Sequence, residues 1–178
     1  MCQALLLNIK AGIMKNNDIL FKTDEFIFSY RVAGILFIDD KILLQKPIDD
    51  DGYAFPGGHV AFSETNAETL IREFKEEIGM DIIVKKLKWV AEVFFPWNNK
   101  PCQQICLYYL VEPIYKDQIP MEGKFTGIET LENKNFKIEF HWIPIGEINK
   151  IQVYPTNTVE LLKNINGDVK HFVYKENE

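Results

Sequence analysis

Hydrophobic residues follow two different periods along this chain, and the change of period separates strands from a helix. The segments FSYRVAGILFI (28–38) and ILLQK (42–46) are rich in apolar and β-branched residues and flank the turn residues DDK. This pattern predicts two strands joined by a hairpin. From residue 65 to residue 79, apolar residues instead recur every three or four positions, which predicts a helix with one buried face. The predicted buried face consists of Ala67, Leu70, Ile71, Phe74 and Ile78.

The predicted helix carries a start signal and a stop signal. Thr65 and Glu68, three residues apart, form the pattern of a capping box, in which each side chain binds the backbone of the other residue. Gly79 is a natural C-terminal stop, because glycine adopts the left-handed conformation that ends many helices. We therefore expect the helix to run from Thr65 to about Ile78.

Strand-like segments return after Gly79. Residues 81–95 and 103–114 are long and mostly apolar, and the turn residues PWNNKP lie between them. Residues 136–145 alternate between apolar and polar, like an edge or half-buried strand, and KHFVY near the C-terminus predicts a last short strand. Residues 123–135 are polar, and we expect a loop there.

A second helix is predicted near Pro155, because proline is favoured at the first position of a helix. Together the elements predict one α/β domain, in which a mixed sheet is sandwiched between helices. We expect residues 26–178 to form this domain and residues 1–25 to form a loosely attached N-terminal extension. Met14, followed by KNND, is a candidate for an alternative translational start within that extension.

Composition and charge limit the function. The chain has 178 residues, 47% of them hydrophobic, which is enough for one sizeable core. Its net charge is -6 and its 20 basic residues are dispersed, so no basic stripe predicts nucleic-acid binding. No apolar run approaches the ~20 residues of a membrane span, and the N-terminus is a poor signal peptide. Three cysteines without paired spacing favour a reduced compartment. We therefore expect a cytoplasmic protein with no membrane or nucleic-acid partner.

The end of the predicted helix carries an unfavourable set of charges. Glu73, Glu76 and Glu77 lie in its last two turns, where the helix dipole disfavours each exposed carboxylate by about 0.3–1 kcal/mol. On a helix that turns about 100° per residue, the three fall on one face beside the apolar stripe. Clustered carboxylate oxygens are the ligands that Mg²⁺ or Mn²⁺ prefers, so the pattern predicts a metal site. A solvated acidic face is the alternative interpretation.

The segment from Gly58 to Met80, GHVAFSETNAETLIREFKEEIGM, resembles the Nudix box, G-x5-E-x7-R-E-U-x-E-E-x-G-U, in which U is a bulky aliphatic residue. The fixed positions of the motif are matched by Gly58, Glu64, Arg72, Glu73, Glu76, Glu77 and Gly79. Phe74 and Met80 depart mildly from the motif but remain apolar. The flanking segments YAFPGG and FHWIPIGEI also resemble the family, so the resemblance spans about residues 28–165.

This resemblance implies the Nudix fold and a metal-dependent hydrolase that cleaves a phosphoanhydride bond. The implied substrate is a small molecule, a nucleoside diphosphate linked to another moiety. The implied ligands of Mg²⁺ (or Mn²⁺) are Glu73, Glu76, Glu77 and the backbone carbonyl of Gly58. Arg72 is expected to orient a carboxylate such as Glu64 or Glu73 with its planar fork, and Glu64 is expected to be an orienting residue. The expected catalytic residues are Glu77, Glu73 and Arg72.

Several site residues stay open at this stage. The general base is Glu77 or one of four later glutamates, Glu122, Glu129, Glu132 and Glu139. Arg31 and Lys46, on the strands before the box, are candidates for binding the substrate phosphates, with surface roles as the alternative. Candidates for stacking on a base are Tyr30, Tyr53, Phe95 and Trp97. We expect His59 to be a hydrogen-bonded loop residue rather than a substrate ligand.

Two other functions are compatible with the resemblance. The first is a non-catalytic Nudix-fold nucleotide-binding or sensor module, although such a relative would be free to lose the acidic trio that this chain keeps. The second is isomerase chemistry on a diphosphate lipid precursor, for which no cysteine lies near the box. A homodimer is also open, because the long strands around PWNNKP could supply an exposed edge.

Overall fold

The computed structural model describes residues 18–131 and 134–176. Its strands are β1 (Leu20–Lys22), β2 (Ile27–Ile38), β3 (Lys41–Pro47), β4 (Ile82–Trp97), β5 (Lys100–Pro113), β6 (Lys124–Leu131), β7 (Lys134–Pro144) and β8 (Lys170–Lys175). Its helices are α1 (Asn66–Glu73), which continues as a π-helical turn (Phe74–Ile78), a 3₁₀ turn (Ile145–Lys150) and α2 (Asn157–Leu162).

The strands of the described residues form one mixed sheet. Their order is β6-β7-β3-β2-β5-β4-β8, and β1 pairs with β2. The β2–β5 and β4–β8 pairs are parallel, whereas the other pairs are antiparallel. The predicted hairpins of β2 with β3 and of β4 with β5 are both present. Asn98 and Asn99 make the second turn with positive φ angles of 51° and 60°, which asparagine tolerates better than most residues.

Strands β2 and β3 pair only next to their turn and then diverge. Their ladder consists of Phe37 with Ile42 and Ile38 with Lys41. The segment after β3 fills the gap, because Ala54 pairs with Gln45 of β3 and the backbone of residues 56–60 bonds to β2. This segment contains the double glycine that opens the box, so the box is attached directly to the centre of the sheet.

Each face of the sheet is covered by one helix and has its own core. On one face Leu70, Phe74 and Ile78 of the box helix pack against residues such as Val32 and Val111. On the other face Leu162 of α2 packs with a second cluster that includes Trp89 and Tyr108. The predicted α/β/α architecture is confirmed.

Close packing fixes the box helix on β2. The Phe74 ring lies against the backbone of Gly34, where an added Cβ would lie 2.6 Å from two ring atoms. Phe74 and Leu70 are fully buried, as predicted. Ile71 is 44% exposed, so its assignment to the buried stripe was wrong, and the stripe is narrower than the periodicity indicated.

The polar segment 123–135 was predicted to be a loop, and this prediction was wrong. Lys124–Leu131 forms β6, which pairs along its length with β7. Residues 136–145 were predicted as an edge or half-buried strand, and the half-buried alternative is confirmed, because Ile138, Phe140 and Trp142 are buried and alternate with more exposed residues. Strand β7 is not an edge, because it lies between β6 and β3. The last predicted strand is present as β8, parallel to β4.

The predicted extension of residues 1–25 lies partly outside the described residues, which begin at Asp18. Within it, β1 pairs with β2 from Leu20 opposite Ser29 to Lys22 opposite Ile27. The boundary at residue 26 stays a prediction. No helix of the described residues is long and apolar enough to span a membrane.

Candidate active site

The box helix begins at the predicted capping box. The Thr65 hydroxyl oxygen accepts a hydrogen bond from the backbone N–H of Glu68, and the Glu68 carboxylate accepts one from the backbone N–H of Thr65 at 2.8 Å. Helix α1 ends at Glu73 and continues as a five-residue π turn. Gly79 ends this turn in the left-handed conformation, with φ of 77°. The predicted extent of the helix is therefore right, but its last turn is wider than that of an α-helix.

The wider turn contains Glu76 and Glu77, and the three glutamate side chains lie in different environments. The side chain of Glu73 is 12% exposed, whereas that of Glu76 is 63% exposed. Glu77 is buried, with only 7% of its surface exposed. Among the described residues, no three His, Cys, Asp or Glu side chains lie together in the arrangement of a metal site. The three carboxylates thus do not form one open cluster.

Arg72 connects three carboxylates of the box. Its Nε and Nη2 donate to the two carboxylate oxygens of Glu64 at 2.9 and 3.1 Å, which is the bidentate arrangement expected from the sequence. Its Nη1 donates to Glu73 at 2.8 Å and to Glu76 at 3.3 Å. Thr69 also donates to Glu64, at 2.8 Å. The Arg72 guanidinium holds the pKa of Glu64 below its ordinary value.

The Glu73 carboxylate lies against the backbone of Gly58. A Cβ added to Gly58 would lie 2.1 Å from one carboxylate oxygen of Glu73, so any larger residue at this position would require the carboxylate to move. Burial raises the pKa of Glu73, and the positive charges of Arg72 and Arg31 offset part of this rise. The structure thus brings the first glycine and the first metal-ligand candidate of the box into direct contact.

Arg31 and Lys46, the predicted phosphate-binding residues, line one cavity of about 390 Å³. The Arg31 guanidinium donates to the carbonyl oxygen of Gly57 at 2.7 Å, and Lys46 donates to the carbonyl oxygen of Asp50 at the same distance. Other walls include the aromatic rings of Phe95, Tyr154 and Tyr174. Arg31 connects this cavity to the box, because its charge also acts on Glu73.

The donor set fits a divalent cation in its chemistry. Glu73, Glu76 and Glu77 supply hard carboxylate oxygens, which Mg²⁺ and Mn²⁺ prefer. The carbonyl oxygen of Gly58 accepts one hydrogen bond, from Val32 N–H at 3.0 Å, and a carbonyl oxygen has two lone pairs. Burial disfavours the charged form of Glu73, and a bound cation would offset that cost.

The alternative general bases lie in different places. Glu139 is opposite Lys46 in the β3–β7 ladder, but its carboxylate binds Lys124 at 2.6 Å and His141 at 3.1 Å. The hydrogen bond from Lys124, with a smaller contribution from His141, holds the pKa of Glu139 below its ordinary value. The carboxylate of Glu139 is therefore a weaker base. Glu122 lines a small cavity with Ile38 and Lys41, at the opposite end of β2 from Arg31. Glu132 and the side chain of Glu129 lie outside the described residues.

The sequence-based interpretation missed one residue near the site, Asp18, and expected a different environment for another, His59. Asp18 pairs with Ala61 of the box loop, and burial raises the pKa of its carboxyl beside Arg72, Glu64 and Arg31. His59 was expected to be a hydrogen-bonded loop residue, but its Nε2 is buried and has no hydrogen-bond partner among the described residues. Asp18 has no local sequence signal, because tertiary structure alone brings it to the site, whereas His59 directly follows Gly58 in the box.

Comparison with models of protein families shows to which family the chain belongs. A family model described as the NUDIX domain matches residues 29–162 of this chain. The chain belongs to the Nudix family. The matched region contains the complete Nudix box together with Arg31 and Lys46, so the box and the Arg72 contacts lie within the Nudix domain, whereas Tyr174 of the cavity wall lies beyond the matched residues.

Similar proteins share parts of this Nudix domain. An RNA pyrophosphohydrolase from Ruthia magnifica subsp. Calyptogena magnifica is 33% identical over 83 residues, which are 42% of this chain and 46% of that protein. The uncharacterized Nudix hydrolase YvcI from Bacillus subtilis (strain 168) is 28% identical over 121 residues, covering 68% of this chain and 67% of the relative. The crystal structure of a UDP-X diphosphatase superposes with a TM-score of 0.55 at 18% identity, covering 82% of this chain and 66% of that one. This structural similarity shows the fold alone.

Proposed function

We propose that this protein is a metal-dependent pyrophosphohydrolase that cleaves a phosphoanhydride bond in a nucleoside diphosphate linked to another moiety. One observation carries the proposal: Arg72 holds Glu64 and Glu73 beside Gly58, next to a cavity that contains Arg31 and Lys46. Acidic groups that could hold a cation thus adjoin basic groups that could bind phosphate. The name of one similar protein, an RNA pyrophosphohydrolase, supports chemistry at a pyrophosphate bridge.

Nudix hydrolases generally use divalent metal ions. In this chain Glu73, Glu76, Glu77 and the carbonyl oxygen of Gly58 would hold Mg²⁺ (or Mn²⁺). When bound, the ion would neutralise the pyrophosphate and lower the pKa of an attacking water. Glu76 is the most exposed of these side chains, so it can reorient at the lowest cost.

Other residues of the protein position the carboxylates, bind the phosphates and supply the general base. Arg72 fixes the Glu64 and Glu73 carboxylates through its fork, which keeps the Glu73 oxygens in place beside Gly58. Arg31 and Lys46 bind and orient the phosphates in the adjoining cavity. Glu77 is our candidate for the general base, because Glu139 is engaged by Lys124 and His141. The substrate is a small molecule, and we place the protein in the cytoplasm on the basis of its cysteine content.

A substrate panel tests this proposal. The protein is incubated with dinucleotides, nucleotide sugars and nucleoside triphosphates, with Mg²⁺, with Mn²⁺ or with EDTA, and the products are separated by ion-exchange chromatography. We expect release of a nucleoside monophosphate from a nucleoside diphosphate derivative with metal and none with EDTA. Ligand binding without any product would contradict the proposal and favour the sensor function.

A further inference from the structure

The backbone of His59 is fixed by the box. His59 directly follows Gly58 and pairs with Arg31 of β2 as an antiparallel bridge. Its carbonyl oxygen accepts a hydrogen bond from Arg72 at 3.4 Å. The position of the imidazole is therefore set by the same contacts that position the candidate catalytic residues.

The imidazole of His59 carries an unsatisfied polar atom. The residue is only 4% exposed, and no described residue bonds to its Nε2. A buried donor or acceptor without a partner costs about 1–3 kcal/mol, so such an atom requires an explanation. Burial, with the nearby charges of Arg31 and Lys22, lowers the pKa of His59 to about 3. An imidazole carries at least one N–H donor whether it is neutral or protonated.

The side chain of Trp97 stacks beside this ring. The two rings are nearly parallel, at 16°, with centroids 6.1 Å apart. Trp97 is the last residue of β4 and immediately precedes the turn residues Asn98 and Asn99. The Nζ of Lys22 lies 4.5 Å from the centroid of the Trp97 ring. The stacking partner of His59 is thus a half-buried aromatic side chain at the tip of a hairpin.

The groups around His59 favour an anion. Arg31 and Lys22 both place positive charge near the imidazole, and Arg31 also lines the cavity assigned to the substrate. A phosphate group carries negative charge and several acceptor oxygens, so it can accept a hydrogen bond from the imidazole N–H and interact with both cations. Hydrogen bonds to ionised groups such as phosphate are stronger than those between neutral groups. An apolar or aromatic ligand would leave Nε2 unpaired. The carboxylates of Asp18 and Glu73 also lie near Arg31, so a cation at the box would be needed to offset their repulsion.

We propose that His59 is a substrate-binding residue that, together with Arg31 and Lys22, binds a phosphate group of the substrate after Trp97 turns away from its ring. This inference rests on the proposed function, since it assigns one further contact to the same substrate. It differs from the role expected from the sequence, in which His59 was a hydrogen-bonded loop residue.

The test uses methylenediphosphonate, a pyrophosphate analogue that is not hydrolysed at its bridge, and the intact protein in excess Mg²⁺. His59→Phe keeps a ring under Trp97 but removes both nitrogens. We expect the affinity of His59→Phe for methylenediphosphonate, measured by calorimetry, to be about tenfold lower than that of the wild type, because one strong hydrogen bond is lost. His59→Gln retains an N–H donor and should stay within about threefold of the wild type. His171→Phe is the matched control, because His171 is exposed and pairs with Glu92.

Two further measurements separate binding from a structural role. Metal-free His59→Phe should melt no lower than the wild type, because the variant loses a buried atom that has no partner. Trp97 is half-buried, whereas Trp89 and Trp142 are buried. Because Trp97 is proposed to turn away from His59, tryptophan fluorescence should change when methylenediphosphonate binds. Trp97→Phe should abolish that change. Unchanged affinity in His59→Phe, a lower melting temperature, or unchanged emission would each overturn the inference.

The inference and the proposed function can fail separately. If the wild type hydrolyses a panel substrate and His59→Phe keeps the wild-type KM and affinity, only the role of His59 is wrong. If the wild type hydrolyses nothing but His59→Phe still weakens methylenediphosphonate binding, the phosphate site stands and the proposed hydrolase function fails.

Discussion

The contact between Gly58 and Glu73 allows the geometry of the site to be disturbed without removing any charge. Gly58→Ala would place a Cβ 2.1 Å from one carboxylate oxygen of Glu73 and 2.2 Å from its Cδ. Ordinary van der Waals contact begins at 3.4 Å, so the carboxylate would have to move by about 1.3 Å. Gly58 is not among the glycines with positive φ, so alanine adds a steric clash but no backbone strain.

The size of the effect follows from that displacement. The shifted carboxylate oxygen is the one that Arg72 binds at 2.8 Å, so the clash also disturbs the Arg72 contact. Overpacking of this kind costs about 1–3 kcal/mol, and a misplacement of about 1 Å at a reacting centre can cost about 10²-fold in rate. We expect Gly58→Ala to lower the free energy of unfolding by about 1–3 kcal/mol and kcat/KM by about 10²-fold.

Urea unfolding and hydrolysis of the best panel substrate measure the two effects. Gly146→Ala is the matched control, because a Cβ at Gly146 meets no atom within 4 Å and should change neither quantity. In a Glu73→Ala background the clashing group is gone, so Gly58→Ala should cost less stability than in the wild type. The reasoning is refuted if Gly58→Ala unfolds and turns over like the wild type, or if its cost is the same in both backgrounds.

Three further predictions concern the Arg72 contacts. Arg72→Lys keeps the charge but cannot form the fork, so steady-state kinetics should show at least a tenfold loss of kcat/KM; wild-type rates would make Arg72 an ordinary surface residue. Glu76→Gln should not lower the metal-free melting temperature, but thermal melts should show a smaller stabilisation by Mg²⁺ than in the wild type; an equal stabilisation would remove Glu76 from the ligand set. Arg72 holds the pKa of Glu64 below its ordinary 4.5, so the stability advantage of the wild type over Glu64→Gln should be complete above about pH 4.5. It should disappear as the pH falls through the lower folded-state pKa, and urea melts that show a constant difference down to pH 2.5 would contradict this.

Local signals predicted much of the fold. The capping box at Thr65, the stop at Gly79 and the two hairpin turns all depend on residues close in sequence, and each is present in the structure. The identity of the fold followed from the box, whose residues need a fixed spacing on one helix. The acidic trio and Arg72 were therefore found from the sequence as a set.

Other features depend on contacts that the sequence does not encode locally. Strand β6 is polar and forms by pairing with β7, so its composition indicated a loop. The π turn has no local signal, because its residues FKEEI have ordinary helix propensities. Gly127 of β6 lies against the carbonyl of Glu77, where an added Cβ would approach to 2.1 Å, so a distant strand packs on this turn. Asp18 likewise reaches the site only through pairing with Ala61, which is far from it in the sequence.

The most direct test of the central claim compares the wild type with Glu77→Gln on the best panel substrate across a Mg²⁺ titration. Glu77 is buried, and it is proposed both as a metal ligand and as the general base. The account predicts that wild-type hydrolysis requires Mg²⁺, and that Glu77→Gln is slower by about 10²-fold or more at every Mg²⁺ concentration while its metal-free melting temperature does not fall. A variant that hydrolyses the substrate at the wild-type rate, or a wild type that turns over equally well in EDTA, would contradict it.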